Sequence, residues 1–321
     1  MKNNTKKIII LVIGLLLFSA VLSNLCGIGS LGIRFFRRES SGSAKTWTLK
    51  DNFSDINIKS KTGGIKIYRS SDRSAKVVWS GSKNTKLSVE TNWSTLSVEE
   101  KFKLPWFLRP VSIFESSEIQ IWLPKDTYDG LSVNSDTGSV VIPAGFSFKT
   151  AVINTDTGSV DFQAGIREDL KIESDTGRIT VNGVRPNNMR LNSDTGELMV
   201  KSIRASKDIR LETDTGRITI TNVRCQKLDV KSDTGSLSLA DAIAADKMDL
   251  ESDTGSIKLD RCDAGSIEIE TDTGSIQGTL LGEKIFSARS GTGKVIVPES
   301  TSGGSCTIKS DTGSINIEIV K

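Results

Sequence analysis

The chain has 321 residues, with 42 basic against 39 acidic side chains, four cysteines and no histidine, so the commonest zinc and copper ligand is missing. The net charge of +3 is uneven: residues 1–38 carry six basic and no acidic groups, which leaves residues 39–321 with 36 basic against 39 acidic, a net of −3. That balance gives the bulk of the chain no basic patch suited to nucleic acid.

In chain order, residues 1–7 form a short basic start with Lys2, Lys6 and Lys7, followed by an almost wholly apolar run from Ile8 to Leu25. Eighteen residues is near the lower limit for a membrane span, and the stretch after it can lengthen it, so residues 8–28 are assigned to a transmembrane signal anchor. A cleaved secretory signal is the rival. No small-x-small cleavage site stands out, and the bulky Leu25 before Cys26 does not suit a lipoprotein signal. Arg34, Arg37 and Arg38 balance the three lysines, so the positive-inside rule barely discriminates. The short N-terminus favours a cytoplasmic start and an extracytoplasmic bulk, a single-pass protein of the cell membrane. Residues 29–45, with Glu39-Ser40-Ser41-Gly42-Ser43, read as a linker.

Residues 46–130 are assigned to an N-terminal β cap and the first coils. Lys61-Thr62-Gly63 is flanked by Ile56, Ile58, Ile65 and Ile67 in strict alternation, and strands are expected at Lys76–Ser80, Lys86–Glu90, Thr95–Glu99 and Glu118–Leu123. Trp79, Trp93, Trp106 and Trp122 lie here and are expected to fill the cap core. Between them, Pro105-Trp106-Phe107-Leu108-Arg109-Pro110 is an apolar loop bracketed by prolines. It either covers the first coil or serves as an interaction loop, since Trp and Arg suit a membrane interface or a protein partner.

Residues 131–321 are organised by Asp-Thr-Gly, which occurs nine times, at Asp136, Asp156, Asp175, Asp194, Asp214, Asp233, Asp253, Asp272 and Asp311. Neighbouring copies are 19 or 20 residues apart, except across the last gap, where the degenerate Gly291-Thr292-Gly293 restores the period. A fixed period near 20 is the signature of a stacked repeat. Residues five and three before the Asp are apolar (Leu170 and Ile172, for example), as are those four and six after it (Ile179 and Val181), while the residues between are mostly polar; one before the Asp is always Ser or Thr. Period-two alternation means two short strands per repeat with one buried face. The Asp is expected to bond its own backbone two residues on, and the Gly to supply a positive φ. Val184, Ile203, Val223, Cys262 and Leu281 suggest a third short inward segment, with Pro143, Pro186 and Pro298 near corners. A hairpin meander is the competing arrangement, but uniform columns favour parallel, in-register coils. The fold expected is therefore all-β: a parallel β-solenoid of about ten coils and, at ~4.8 Å per rung, roughly 50 Å long, preceded by one transmembrane helix. The final run, Ile315–Val320, is expected to form an open end capable of end-to-end self-association.

The cysteines read as small buried hydrophobes rather than a disulfide framework, Cys225 and Cys262 lying two rungs apart. An aspartic protease is disfavoured because Ser or Thr precedes each Asp and the copies form a column, not a pair. A calcium ladder along the Asp column and an ice-binding Thr column are alternatives; each turn gives calcium one carboxylate plus Thr and carbonyl oxygens, and Arg178, Glu197 and Arg217 interrupt the strand beside the Thr column. A glycan-active β-helix enzyme is the alternative from another class, with its site around residues 100–130; uniform coils argue against it because such sites need a groove built by inserted loops. No cofactor, metal or catalytic residue is assigned.

The opening Phe53-Ser54-Asp55-Ile56-Asn57-Ile58, the run Ile119-Gln120-Ile121-Trp122-Leu123-Pro124 leading into Leu131-Ser132-Val133-Asn134-Ser135, and the Ser-Asp-Thr-Gly-Ser-Ile repeats resemble a bacterial family of β-strand-repeat "putative adhesins" of unknown function, which includes membrane-anchored LiaG-like proteins. The resemblance covers residues 46–321. It implies a β-solenoid outside the membrane, often in Gram-positive envelopes and sometimes tied to envelope-stress systems, and carries over no catalytic residues. Together these readings lead to an expected non-enzymatic envelope protein that acts as a scaffold or binding module for an envelope protein or glycan.

Overall fold

The computed structural model describes residues 44–50, 53–81, 84–103 and 117–320, and all regular structure among them is β. The expected membrane span and the loop Pro105-Trp106-Phe107-Leu108-Arg109 lie outside the described residues. The chain runs through β1 (Lys45–Lys50), β2 (Asp55–Ser60), β3 (Gly63–Arg69), β4 (Ser74–Ser80), β5 (Thr85–Asn92), β6 (Thr95–Phe102), β7 (Ser117–Leu123), β8 (Thr127–Thr137) and β9 (Val140–Ile142), then enters the repeats.

Each repeat is one coil of a parallel solenoid. Leu131 pairs with Ala151, which pairs with Leu170, then Met189, Ile209, Leu228, Met248 and Ile267 in strict register. The strand after each Asp-Thr-Gly stacks likewise, from Val140 on Val160 to Leu237 on Ile257. Period-two alternation sends these aliphatic columns inward, where they form one continuous core, and the polar positions outward. The third inward column holds Val184, Ile203, Val223, Ala242, Cys262 and Leu280, all fully buried. Leu280 replaces the expected Leu281 because the register slips between Leu259 and Cys262, leaving one residue fewer in that arc. A corner just before this column is made by Ser202, Asn222, Asp241 and Arg261, all with left-handed φ of 52–56°. Each stands eight residues after the Asp. The presence of Gly183, Asn222 and Asp241 at this offset is a legible sign of a left-handed position.

Four motif glycines, Gly138, Gly158, Gly177 and Gly313, have the expected positive φ, and the other five are required by proximity. At Gly196, Gly216, Gly235, Gly255 and Gly274 the backbone is outside the left-handed region, yet a Cβ on any of them would meet the preceding glycine's carbonyl oxygen at 1.8–2.1 Å. The turn is held by backbone bonds between coils: every motif Gly from Gly138 to Gly274 donates its N–H to the Thr carbonyl of the next coil, at 3.0 Å from Gly138 to Thr157 and from Gly235 to Thr254.

Order in space departs from order in sequence at both ends. β2 and β3, with Lys61-Thr62-Gly63 between them, lie directly on the first Asp-Thr-Gly coil, Ile56 on Leu131 and Ile65 on Val140. On their other side lie β6 and β7, Ile56 on Leu96 and Ile65 on Ile119, so a later segment forms the outer layer. Antiparallel β5, β4 and β1 then close the edge. Phe53, Tyr128 and Phe148 stack inside the first coils, with centroids 5.9 and 6.1 Å apart. Trp79 is buried as expected for a cap residue, whereas Trp93 is 98% exposed at the β5–β6 turn and Trp122 faces outward, stacked on Tyr68 at 4.8 Å. Trp106 lies outside the described residues.

At the other end, strand Gly304–Thr312 pairs with Ile267–Thr273 on one edge and with Lys284–Ser290 on the other. The coil around Asp311 is thus inserted between the Asp272 coil and the degenerate coil. Strand Ile315–Ile319 sits between Ile276–Leu280 and Val295–Ile296. The open end is therefore the degenerate coil, not the Ile315–Val320 run expected from sequence. Lys284, buried at the start of the outermost layer, reaches past the inserted coil to Asp263 at 2.6 Å.

Gly235→Ala should lower unfolding stability by ~2–4 kcal/mol, because the clash is with backbone. Ser256→Ala, a neighbouring exposed position, should change it by less than ~0.5 kcal/mol. Chemical denaturation of the two variants side by side checks this.

Candidate functional site

Glu100 is the one acid fully buried among the described residues. It stands in the layer next to Ser60, where the regular coils carry a Ser or Thr. Its Oε2 accepts from the N–H groups of Lys61 and Thr62, at 3.0 Å each, and from the Ser60 hydroxyl at 3.2 Å; its Oε1 accepts from Ser117 at 2.8 Å and from the Trp79 indole at 3.3 Å. Burial alone would raise its pKa, but these donors outweigh it and hold it below the usual range. With every described bond spent inside the protein, Glu100 plugs the Lys61-Thr62-Gly63 turn and is not an exposed catalytic acid.

The nine Asp residues line one edge of the stack. Asp136 receives Lys61 Nζ at 2.8 Å. The carboxylates of the other eight form no hydrogen bond among the described residues, so the expected bond from Asp to its own turn is not made. The Ser or Thr before the Asp bonds from inside over part of the stack: Thr213, Ser232, Ser252, Thr271 and Ser310 donate to the motif Gly carbonyl of the adjacent coil at 2.9–3.4 Å, whereas the buried hydroxyls of Thr155, Ser174 and Ser193 find no partner among the described residues. The Asp side chains are left as a solvated column of like charge. Desolvation first, then Asp136 and Asp175, raise the Asp156 pKa; desolvation, then Asp194, Asp233 and Glu212, raise that of Asp214. No group of three or more acidic or cysteine side chains among the described residues converges closely enough to hold a metal.

The outward face before the motif carries a ladder of paired charges. Arg210 contacts Glu212 and Asp229 at 3.6 and 3.7 Å, Lys231 meets Glu251, Lys247 lies 2.9 Å from both Asp249 and Glu268, and Lys309 lies 3.4 Å from Glu270. Hydrogen bonds to Glu268 and Asp249 push the Lys247 pKa up, and Lys247 in turn lowers that of Glu268. The face after the motif is different: Thr180, Met199, Thr219 and Ser238 stack in register as an uncharged column between Asp161 and Lys258, and beside it Arg178, Glu197 and Arg217 carry charge, Arg178 pairing with Glu197 at 3.0 Å.

The three described cysteines are free and buried, and burial pushes their thiols up, Cys225 and Cys306 to about 12 and Cys262 to about 11, which makes them unreactive. The degenerate end coil carries an open depression of about 580 Å³ lined by Phe286, Val295, Ile296, Val297, Pro298, Glu299, Ser300 and Thr301. It holds a single carboxylate, Glu299, where glycoside hydrolysis uses a pair.

The Toastrack DUF4097 family model matches residues 53–206 and 190–321. No curated protein matches the chain in sequence. Among solved structures, a "putative lipid binding protein" from Parabacteroides distasonis is 18% identical with a TM-score of 0.49, over 88% of this chain and 98% of that one. A "putative adhesin" from Bacteroides fragilis is 15% identical with a TM-score of 0.38, over 87% of this chain and 98% of that one. A "putative cell adhesion protein" from Clostridium sporogenes is 13% identical with a TM-score of 0.22, over 86% of this chain and 100% of that one.

Two titrations follow from these environments. Glu100 has a depressed pKa in the folded state, so its stabilisation is full above the ordinary carboxylate value of 4.5 and is lost as pH falls through the folded value. Glu100→Gln should cost ~1–3 kcal/mol at pH 7, and the gap to the parent protein should narrow below pH 4. Asp214 has the opposite sign: its raised pKa means that protonation relieves first the desolvation of its charge and then the repulsion from Asp194, Asp233 and Glu212, so stability rises as pH falls through the folded value. Asp214→Asn should stabilise the protein at pH 7 and lose that advantage in acid. Thermal melts between pH 3 and pH 8 read both effects.

Proposed function

The chain belongs to the Toastrack DUF4097 family, and on that footing we propose that it is a non-enzymatic, adhesin-like scaffold of the cell envelope, held to the membrane by its N-terminal apolar run with the solenoid outside. The observation that carries this reading is the pair of long, regular outward faces. One pairs its charges between neighbouring rungs, and the other presents a column of hydroxyl and thioether groups in register beside the charged Arg178, Glu197 and Arg217. Such surfaces suit extended contact with a polymer or a second protein, where many weak hydrogen bonds add along the rungs. The Ile8–Leu25 run and the resemblance to membrane-anchored proteins support the placement.

The column of Thr180, Met199, Thr219 and Ser238 is the surface assigned to ligand contact, and envelope glycan is the ligand class assigned to it. The full chain should co-sediment with purified cell-wall fragments. Thr219→Glu with Ser238→Glu should weaken that binding at least about fivefold, a loss of ~1 kcal/mol, while Lys171→Glu on the face before the motif should leave it unchanged. Co-sedimentation that ignores all three substitutions, or its complete absence, sinks the assignment.

A further inference from the structure

We propose that the degenerate end coil is a docking surface for a second copy of this chain, joined tail to tail across a two-fold axis. Every regular coil is paired on both edges, but Lys284–Ser290 and Val295–Ile296 are paired on one edge only among the described residues. The neighbouring coil buries Cys306, Ile308, Ile315 and Ile317 to within 1% of full burial. In the end coil, Phe286, Ala288 and Val297 pack on the same core yet are only partly covered. Ile285 and Ile296 are 50% and 45% exposed, and Val295 joins them. An apolar edge strand with free backbone donors and acceptors is a template for another strand.

The sequence of this edge is self-complementary, which selects a second copy as the occupant. An antiparallel pairing of two Lys284–Ser290 strands centred on Ser287 sets Phe286 opposite Ala288 of the mate, so a large side chain meets a small one on the inward face, twice. On the outward face Ile285 falls opposite Arg289, and Glu283 becomes the diagonal neighbour of Arg289 across the axis, within reach of long side chains. Within its own chain Arg289 stands beside Lys309, which pairs with Glu270, and Arg289 has no ion pair among the described residues. The mate supplies the acid that its own column lacks. A two-fold closes after two copies, so the contact makes a dimer rather than a fibre.

The test uses the full chain with Cys26→Ser and a single new cysteine, in detergent with micelles in excess. Ser287→Cys, on the axis, should oxidise to an intermolecular disulfide; Ser256→Cys, exposed on a mid-stack coil, should stay monomeric. Adding Arg289→Glu to Ser287→Cys should cut cross-linking at least about fivefold, and Glu283→Arg on top of both should restore it. Circular dichroism confirms that each variant is folded. Equal cross-linking at Ser256 and Ser287, no dimer at Ser287, or no rescue by the charge swap overturns the proposal. None of these outcomes depends on glycan binding, so the dimer and the envelope-binding role stand or fall separately.

Discussion

The close approach of successive motif glycines sets the geometry on which the rest of the molecule depends. With a hydrogen where a side chain would be, each glycine lets the next coil lie at hydrogen-bonding distance, and a methyl group would overlap a carbonyl oxygen at 1.8–2.1 Å at most of these positions. Once that spacing holds at one corner, the aliphatic columns fall in register, the hydroxyls from Thr213 onward reach the adjacent Gly carbonyl, and the outward charges meet their partners one rung away. A single strand spacing thus governs core, corner and surface together.

The regular part of this arrangement was legible in the sequence because identical columns stack on themselves. Residues five and three before the Asp, and four and six after it, were readable as inward positions, and the structure buries them, as in Leu170, Ile172, Ile179 and Val181. The role of the Asp was not legible. An Asx turn is a local hydrogen bond, so it is the natural reading of an isolated Asp-Thr-Gly, but here the turn's donors are satisfied by the next coil, information that no single repeat contains. The constant Ser or Thr before it was the overlooked signal. The left-handed corner at Gly183, Ser202, Asn222, Asp241 and Arg261 was also missed, although Gly, Asn and Asp at three of its five positions favour that conformation.

The candidate binding faces were less legible than the fold. Which outward columns neutralise one another depends on neighbours 20 residues away, and at the C-terminal end on neighbours 39 away, as for Lys309 and Glu270. The stacking order at the two ends was invisible for a related reason. A repeat period tells which segments are coils, not which coil touches which. The degeneracy of Gly291-Thr292-Gly293 is nonetheless physically apt. An outermost layer has no further neighbour within the chain, and this coil has lost the Asp, replaced an Ile or Leu by Ala288 and left Val295 and Ile296 outside.

The insertion of one coil beneath another at each end has a consequence for how such a chain can change length over evolution. The two end structures use residues found nowhere else in the molecule: Glu100 and Trp79 at one end, the Lys284–Asp263 tie at the other. The coils from Asp156 to Asp253 are interchangeable in their contacts. Duplicating or losing a unit of 19 or 20 residues there would alter the reach of the molecule by one rung of ~4.8 Å without disturbing either closure. Length is thereby free to drift while the ends stay fixed, so relatives would be expected to differ mainly in coil number.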